Sequence, residues 1–366
     1  MHNTPKSIYT QEQNPHQNST NLLATERKFS LGLTTYEVTH TFKPHFLRFS
    51  RQNIVRKLLP ESRVSACIRA VKPNASFIPV QYSSSKKIAC YRNLMVCGLQ
   101  WLCPVCSNKI SNFRRQELHE LIENSSYKTS MVSFTLQHTR RDSLGALITA
   151  LTASMRLFKN SRHYKSRIEN MNVIGNVQAL EIVYGAQGWH PHYHLVQIHN
   201  SEFEAAEFEA WSKDRWSRIV RKQGAYASAI HGLKFTVGNN KVHDYVAKFG
   251  VDQELAGDKK SKGLTPFQLL DDPKNHHLFL EYSEATRGKN QLRYSRGLKQ
   301  ILRDQVTNFE IAKDVTEFDI TAAILTRPEW SRIINKRQRA ELLKVAADSY
   351  KAADPDILSR YLRSVL

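Results

Sequence analysis

The sequence lacks both kinds of segment that direct a protein into or across a membrane. No run of about 18 apolar residues, the length needed for a transmembrane helix, occurs in its 366 residues. Residues 1–21, MHNTPKSIYTQEQNPHQNSTN, contain no apolar core of the kind that a secretory signal peptide requires. We therefore expect a cytoplasmic protein without a membrane partner.

Cysteine is scarce, with five residues in the whole chain. In a reducing cytoplasm, clustered thiols indicate metal ligands rather than disulfides. Cys90, Cys97, Cys103 and Cys106 form the pattern C-x6-C-x5-C-x2-C. Four thiolates complete the tetrahedral coordination of a structural Zn²⁺, which we predict here, with reduced core cysteines as the alternative. Cys67 stands apart in the sequence and is expected to be a small buried residue.

Acidic residues are outnumbered, since 33 Asp and Glu face 53 Lys and Arg, a formal net charge of +20 at pH 7. Such an excess favours nucleic acid as a partner, because neutralised phosphates release counterions; the alternatives are an anionic membrane surface or a role in solubility alone. The helix predicted after the last clustered cysteine carries Lys109, Arg114 and Arg115. These side chains either contact DNA phosphates or form an ordinary solvated face.

Composition divides the chain into five regions. Residues 1–25 are rich in Asn, Gln, Thr and Ser, which is typical of a flexible tail. The other regions are a basic N-terminal region at 26–85, a cysteine segment with a basic helix at 86–125, a central domain at 126–270 and a helical C-terminal region at 271–366. Strand and helix patterns alternate irregularly in the central domain, which predicts an α+β fold with a central antiparallel sheet flanked by helices.

Histidines cluster in the segment GWHPHYHLVQIHN, residues 188–200. In a strand, His192 and His194 share one face because successive side chains alternate. The strand before it carries Glu181, which falls opposite His194 if Tyr184 lies opposite Pro191. A His2-Glu set without sulfur suits Mn, Mg, Zn, Fe or Co, and an open divalent site suits Lewis-acid chemistry on a phosphate or carbonyl.

Two further histidines are placed outside this ligand set. His190 and His199 are expected to support the site or lie at the surface, although His190 is close enough to replace Glu181 as the third ligand. The alternative for the whole cluster is an exposed hairpin with incidental histidines.

A candidate nucleophile lies downstream in HDYVAKFG. On a helix, Tyr245 and Lys248 share one face, three residues apart. A phenol loses its proton only near pH 10, but a nearby ammonium or a metal that polarises the electrophile makes it an effective nucleophile. The alternative is a buried tyrosine whose hydroxyl is hydrogen-bonded.

Three segments of the sequence, in order, resemble the motifs of rolling-circle replication initiators of the HUH endonuclease superfamily. They are SFTLQHT (133–139), HPHYHLV (190–196) and YVAKFG (245–250). Their order and separations resemble plasmid Rep proteins with one catalytic tyrosine, and the likeness covers about residues 86–300. The resemblance implies that residues 126–270 form a HUH nuclease domain, with a central antiparallel sheet flanked by helices.

The resemblance also implies the roles of the candidate residues. His192 and His194 would bind Mg²⁺ or Mn²⁺, with Glu181 as third ligand. Tyr245 would attack a DNA phosphate and form a 5′-phosphotyrosyl intermediate, and Lys248 would stabilise the developing charge. The implied activity is site-specific strand nicking and joining at a plasmid replication origin, on DNA that is single-stranded or a hairpin at the nick.

The same resemblance implies partners and alternatives. The sequence contains no P-loop of the form GxxxxGK[ST], so a host helicase and a host polymerase are expected as partners, and a homo-oligomer is left open. A transposase or mobilisation relaxase of the same superfamily is one alternative. Another is a non-catalytic, zinc-containing DNA-binding regulator, which would not need Tyr245 with Lys248.

Overall fold

The computed structural model describes most of the chain. The described residues are 44–123, 127–200, 204–238, 242, 263–296, 298, 306–313 and 318–366. The helices among them are α1 Pro44–Leu58, α2 Pro104–Glu123, α3 Leu144–Asn160, α4 Arg162–Asn170, α5 Ala205–Lys222, α6 His276–Ala285, α7 Asn308–Lys313, α8 Arg327–Asn335, α9 Arg339–Lys351 and α10 Pro355–Val365. None of these helices combines the length and the apolar composition that a membrane crossing requires.

The strands of the described residues form two antiparallel sheets. They are β1 Phe77–Ser83, β2 Ile88–Tyr91, β3 Lys128–Thr135, β4 Val173–Gly185, β5 Gly188–His199, β6 Leu233–Val237, β7 Gly263–Leu264, β8 Leu292–Tyr294 and β9 Ile320–Thr326. The larger sheet has the order β6-β3-β5-β4-β7, with β8 also paired to β4, and the smaller has the order β2-β1-β9. The expected α+β class with antiparallel sheets flanked by helices is therefore confirmed.

Helix α3 shows how the sequence sets the local structure. Ser143 precedes it, and its hydroxyl accepts a hydrogen bond from the backbone N–H of Ala146, as a helix N-cap residue does. Its apolar side chains recur at helical spacing and form one buried stripe, made of Leu144, Leu147, Ile148, Leu151, Met155 and Phe158. This stripe packs the helix onto the larger sheet.

Helices cover the two faces of the larger sheet to different extents. One face lies in the main core with α3 and α5, where Leu180, Tyr193, Leu195, Phe158 and Trp216 are buried together. The second face is covered in part by α2, in a cluster of Leu118, Leu121, Ile122, Met131, Val177, Ala179, Val196 and Ile198. Strand alternation places His192 and His194 on this second face, which we call the histidine face.

The smaller sheet joins segments that are far apart in the sequence. Strand β1, from the region 26–85, pairs with β9, from the region 271–366. The C-terminal region was expected to be helical, but it also supplies β8 and β9. Ile78 of β1 packs against Trp330 of α8 and Leu342 of α9 in one apolar cluster. These two regions of the sequence therefore share one core.

Candidate metal centre

Three side chains converge on the histidine face, beside the cluster that α2 covers. Glu181 comes from β4, and His192 and His194 come from β5. Glu181 Oε2 lies 3.2 Å from His192 Nε2 and 3.5 Å from His194 Nε2. The three ligand atoms lie within 4.8 Å of one another, and all three residues are partly exposed. The arrangement could hold a metal ion that remains accessible from solvent.

The register of the β4–β5 hairpin differs from the expected one. Pro191 lies opposite Ile182 rather than Tyr184, and Glu181 lies opposite His192 rather than His194. The cause is the tight turn, in which Gly185 pairs with Gly188. The expected register was therefore wrong by two residues. Because side chains alternate with a period of two, this shift leaves Glu181 on the histidine face.

Hydrogen bonds orient both imidazoles toward the carboxylate. Ser133 of β3 lies directly opposite His194, and its Oγ is 2.8 Å from His194 Nδ1. His192 Nδ1 lies 3.3 Å from the backbone oxygen of His190. The Nδ1 atoms are thus engaged by partners, and the Nε2 atoms point to Glu181. This is the arrangement found around metal-ligating histidines, whose other ring nitrogen is held by an oxygen atom.

The carboxylate is held in its ionised form. Burial acts to raise the pKa of Glu181, but the charge of His194 and hydrogen bonds from His192 and His194 outweigh it. The pKa of Glu181 therefore lies well below its usual range. An ionised carboxylate is the form that binds metal.

The other histidines occupy two different places. His190 is on the histidine face, next to His192, with ring centroids 5.0 Å apart. Its other neighbour is His138, which the sequence reasoning did not single out although it lies in the first motif; the ring centroids are 4.8 Å apart. Burial and the charges of His192 and His138 lower the pKa of His190 to about 4. His199 is buried on the opposite face of the sheet.

The candidate nucleophile lies outside the described residues, as does Lys248, three residues after Tyr245. Val242, three residues before Tyr245, is described. It is fully buried in the α2 cluster of the histidine face. Val242 therefore lies on the same side of the sheet as the three converging side chains.

A second group of potential ligands contains four cysteines. Cys67, Cys97, Cys103 and Cys106 are all buried, and their sulfur atoms lie within 4.8 Å of one another. Three of the sulfur separations are 3.5 Å for Cys67–Cys106, 3.6 Å for Cys97–Cys106 and 3.8 Å for Cys67–Cys103. The four sulfur atoms could hold one metal ion.

The membership of this group differs from the expected one. Cys90 was expected in the group, which was wrong, because Cys67 takes its place. The expectation that Cys67 is buried is confirmed, but its expected separation from the other cysteines was wrong. Cys90 lies in β2, where it pairs with Gln81 in the smaller sheet. Backbone pairing brings Cys67 to the cluster, because Ile68 donates to the carbonyl of Met95 at 2.7 Å.

The basic residues of α2 make contacts within the protein. Lys109 Nζ donates to the carbonyl oxygen of Ala312 at 3.3 Å. Arg114 pairs with Glu117 at 2.9 Å and is largely buried. Arg115 is partly exposed. Contact of Lys109, Arg114 and Arg115 with DNA stays a prediction.

Comparison with known proteins relates the chain to replication proteins. Residues 91–324 match the model of the family described as Replication protein (Rep_1). "Protein rep" of Streptomyces lividans is 22% identical over 363 residues, with 75% of this chain and 80% of that protein covered. "Neomycin resistance protein" of Streptomyces cyanogenus is 28% identical over 154 residues, with 34% of this chain and 35% of that protein covered. No solved structure matches the chain. The family match includes the whole β4–β5 hairpin.

Proposed function

The chain belongs to the Replication protein family, and on that basis we propose that it initiates rolling-circle replication of a plasmid by nicking one DNA strand. The proposed reaction is that of HUH endonucleases with a single catalytic tyrosine. Its substrate is the replication origin, single-stranded or folded as a hairpin at the nick.

The observation that carries this proposal is the convergence of Glu181, His192 and His194. Two imidazole nitrogens and one carboxylate oxygen, with no sulfur, suit Mg²⁺ or Mn²⁺. A bound divalent ion would act as a Lewis acid on a phosphate oxygen. The partly exposed position of the three residues leaves room for a phosphate to approach. Because the chain is a replication protein and carries this donor set on a partly exposed sheet face, a nuclease is favoured over a DNA-binding regulator.

The proposed chemical step uses Tyr245 as the nucleophile. Its phenolate oxygen forms a bond to the phosphorus of the scissile phosphodiester, and the bond from phosphorus to the 3′ oxygen breaks. The proton lost by the phenol is balanced by the one gained by the 3′ oxygen. The protein is left on the 5′ phosphate, and Lys248 would stabilise the added negative charge. Val242, three residues before Tyr245, is buried on the histidine face, and this supports the choice of Tyr245 as the nucleophile.

The reaction leaves a free 3′-OH, which defines the partners. A host polymerase would extend that end, and a host helicase would separate the strands ahead of it. When the displaced strand is complete, strand transfer from the 5′-phosphotyrosyl bond would join its ends.

We further propose that the four clustered cysteines bind a structural Zn²⁺. In a tetrahedral site with Zn–S bonds of about 2.3 Å, the sulfur atoms are about 3.8 Å apart. The three separations of 3.5 to 3.8 Å in the structure agree with that geometry. Gln52 Nε2 donates to Cys103 Sγ at 3.3 Å, and the backbone N–H of Cys97 donates to Cys67 Sγ at 3.4 Å. Such N–H donors stabilise thiolate ligands.

The test is detection of the covalent adduct. The full-length protein is mixed with Mn²⁺ and single-stranded oligonucleotides that tile its own replicon, and the products are analysed by mass spectrometry. We expect one oligonucleotide to be cut and its 5′-phosphorylated part to be attached to the peptide that contains Tyr245. If the adduct maps to another residue, or the protein cuts without forming an adduct, the proposed mechanism is wrong.

A further inference from the structure

Beside the candidate metal centre, the histidine face extends to the edge strand of the larger sheet. Strand β6 is at that edge and pairs with β3, which in turn pairs with β5. Helix α2 covers the part of this face around Met131 and Val196. The remaining part, toward β6, carries polar side chains.

One row of residues crosses this polar part from strand to strand. Lys234 lies opposite Ser133, and Ser133 lies opposite His194. Residues that lie opposite each other share a face, so the lysine and the histidine point to the same side of the sheet. Neighbouring strands are about 4.8 Å apart, which places the backbones of Lys234 and His194 about 10 Å from each other.

Among the described residues, the β3 side chains between the two are small. Ser133 and Thr135, the β3 residues on this stretch of the face, have short hydroxyl side chains. Lys234 is exposed. Within the described part of the chain, no carboxylate forms an ion pair with it. A single DNA strand that places a phosphate at the metal centre can therefore also reach the ammonium group.

We propose that Lys234 is a positioning residue that binds a backbone phosphate of the DNA next to the scissile one. The proposal rests on the proposed nicking function, because it assumes that DNA approaches the histidine face. Lysine is also common on edge strands because its charge prevents unwanted strand pairing. That alternative role predicts a change in aggregation but no change in affinity for DNA.

The test measures binding without chemistry. Affinity for a labelled oligothymidylate of about 20 nucleotides, longer than common single-strand binding sites, is measured without added Mg²⁺ or Mn²⁺, and without chelator, over a range of salt concentrations. Loss of one phosphate contact should reduce the slope of log K against log salt by about 0.7, which corresponds to about fivefold weaker binding at about 0.1 M salt. We expect this for Lys234→Ala, and recovery of the wild-type slope for Lys234→Arg.

The matched control is Lys165→Ala, which removes the same charge. Lys165 is exposed on α4, whose Tyr164 is buried in the core on the opposite face of the sheet, so its loss should leave the slope unchanged. The proposal is overturned if wild type and Lys234→Ala give equal slopes, or if both alanine variants lose the same amount of slope. It is also overturned if the wild-type protein does not bind the oligonucleotide. Nicking with Mn²⁺ is scored separately. If Lys234→Ala changes the slope but the wild type does not nick, the Lys234 contact stands and the endonuclease proposal is wrong. If the wild type nicks but Lys234→Ala leaves the slope unchanged, the endonuclease proposal stands and the Lys234 contact is wrong.

Discussion

Replacement of Cys67 by serine should weaken binding of the zinc proposed at the cysteine cluster and lower the stability of the protein, whereas Cys90→Ser should change both little. The sequence spacing predicts Cys90 in the cluster and Cys67 outside it, whereas the structure has Cys67 in the cluster and Cys90 outside it. Cys67 is fully buried, and its sulfur lies 3.5 Å from that of Cys106. Cys90 lies in β2, is partly exposed and is not a member of the cluster.

The expected magnitude follows from the number of ligands. Structural zinc sites contribute an apparent 10 to 16 kcal/mol in zinc-finger peptides, so one ligand of four accounts for roughly 3 to 4 kcal/mol. At about 2 to 4 °C per kcal/mol, the Tm of Cys67→Ser should fall by roughly 6 to 16 °C. Serine at position 90 loses no metal bond, so we expect a change within about 1 kcal/mol.

Two measurements on proteins purified without chelator check this reasoning. Elemental analysis should find one zinc per chain in wild type and Cys90→Ser, and clearly less in Cys67→Ser. Thermal unfolding should rank the variants in the same order. A full complement of zinc with an unchanged Tm in Cys67→Ser would refute the assignment, as would loss of zinc in Cys90→Ser or its absence from wild type.

Three further predictions concern the candidate nuclease site. Tyr245→Phe should abolish the covalent adduct but bind single-stranded DNA like wild type, because only the attacking oxygen is lost; an adduct in this variant would mean another nucleophile. His194→Ala should require far more Mn²⁺ for cutting than the matched control His163→Ala, an exposed histidine on α4, and coincident Mn²⁺ titrations would reject the ligand. Ser133→Ala should weaken Mn²⁺ binding by about 10- to 100-fold, since it removes the partner of His194 Nδ1; calorimetry that shows unchanged affinity would contradict this.

The β4–β5 hairpin shows which features the sequence could predict. Short runs of residues typical of strands identified both strands, the alternation of side chains placed His192 and His194 on one face, and the assumed cross-strand pairing added Glu181. The exact register depended on the length of the turn, and the spacing of the histidines gives no information about that length. The predicted grouping of the three residues on one face is still found, because the error in register was an even number of residues.

The cysteine cluster shows what the sequence could not predict. Cys67 and Cys97 are separated by 30 residues, and no local periodicity links them. Their contact depends on pairing of the chain near Ile68 with the chain near Met95. The pairing of β1 with β9 is equally non-local. Such contacts are set by how the whole chain packs, and single-sequence patterns report mainly on neighbours.

Helix α2 connects the two candidate metal centres. Cys106 lies in its first turn, and Leu118 packs on the histidine face about 18 Å further along the axis. Because a helix transmits the position of one end to the other, metal binding at the cysteines would fix how far α2 extends over that face. The zinc proposed here would then shape the accessible area around His192 and His194 without contacting DNA. A cysteine variant that loses nicking should therefore also lose stability, whereas loss of Tyr245 should leave the stability unchanged.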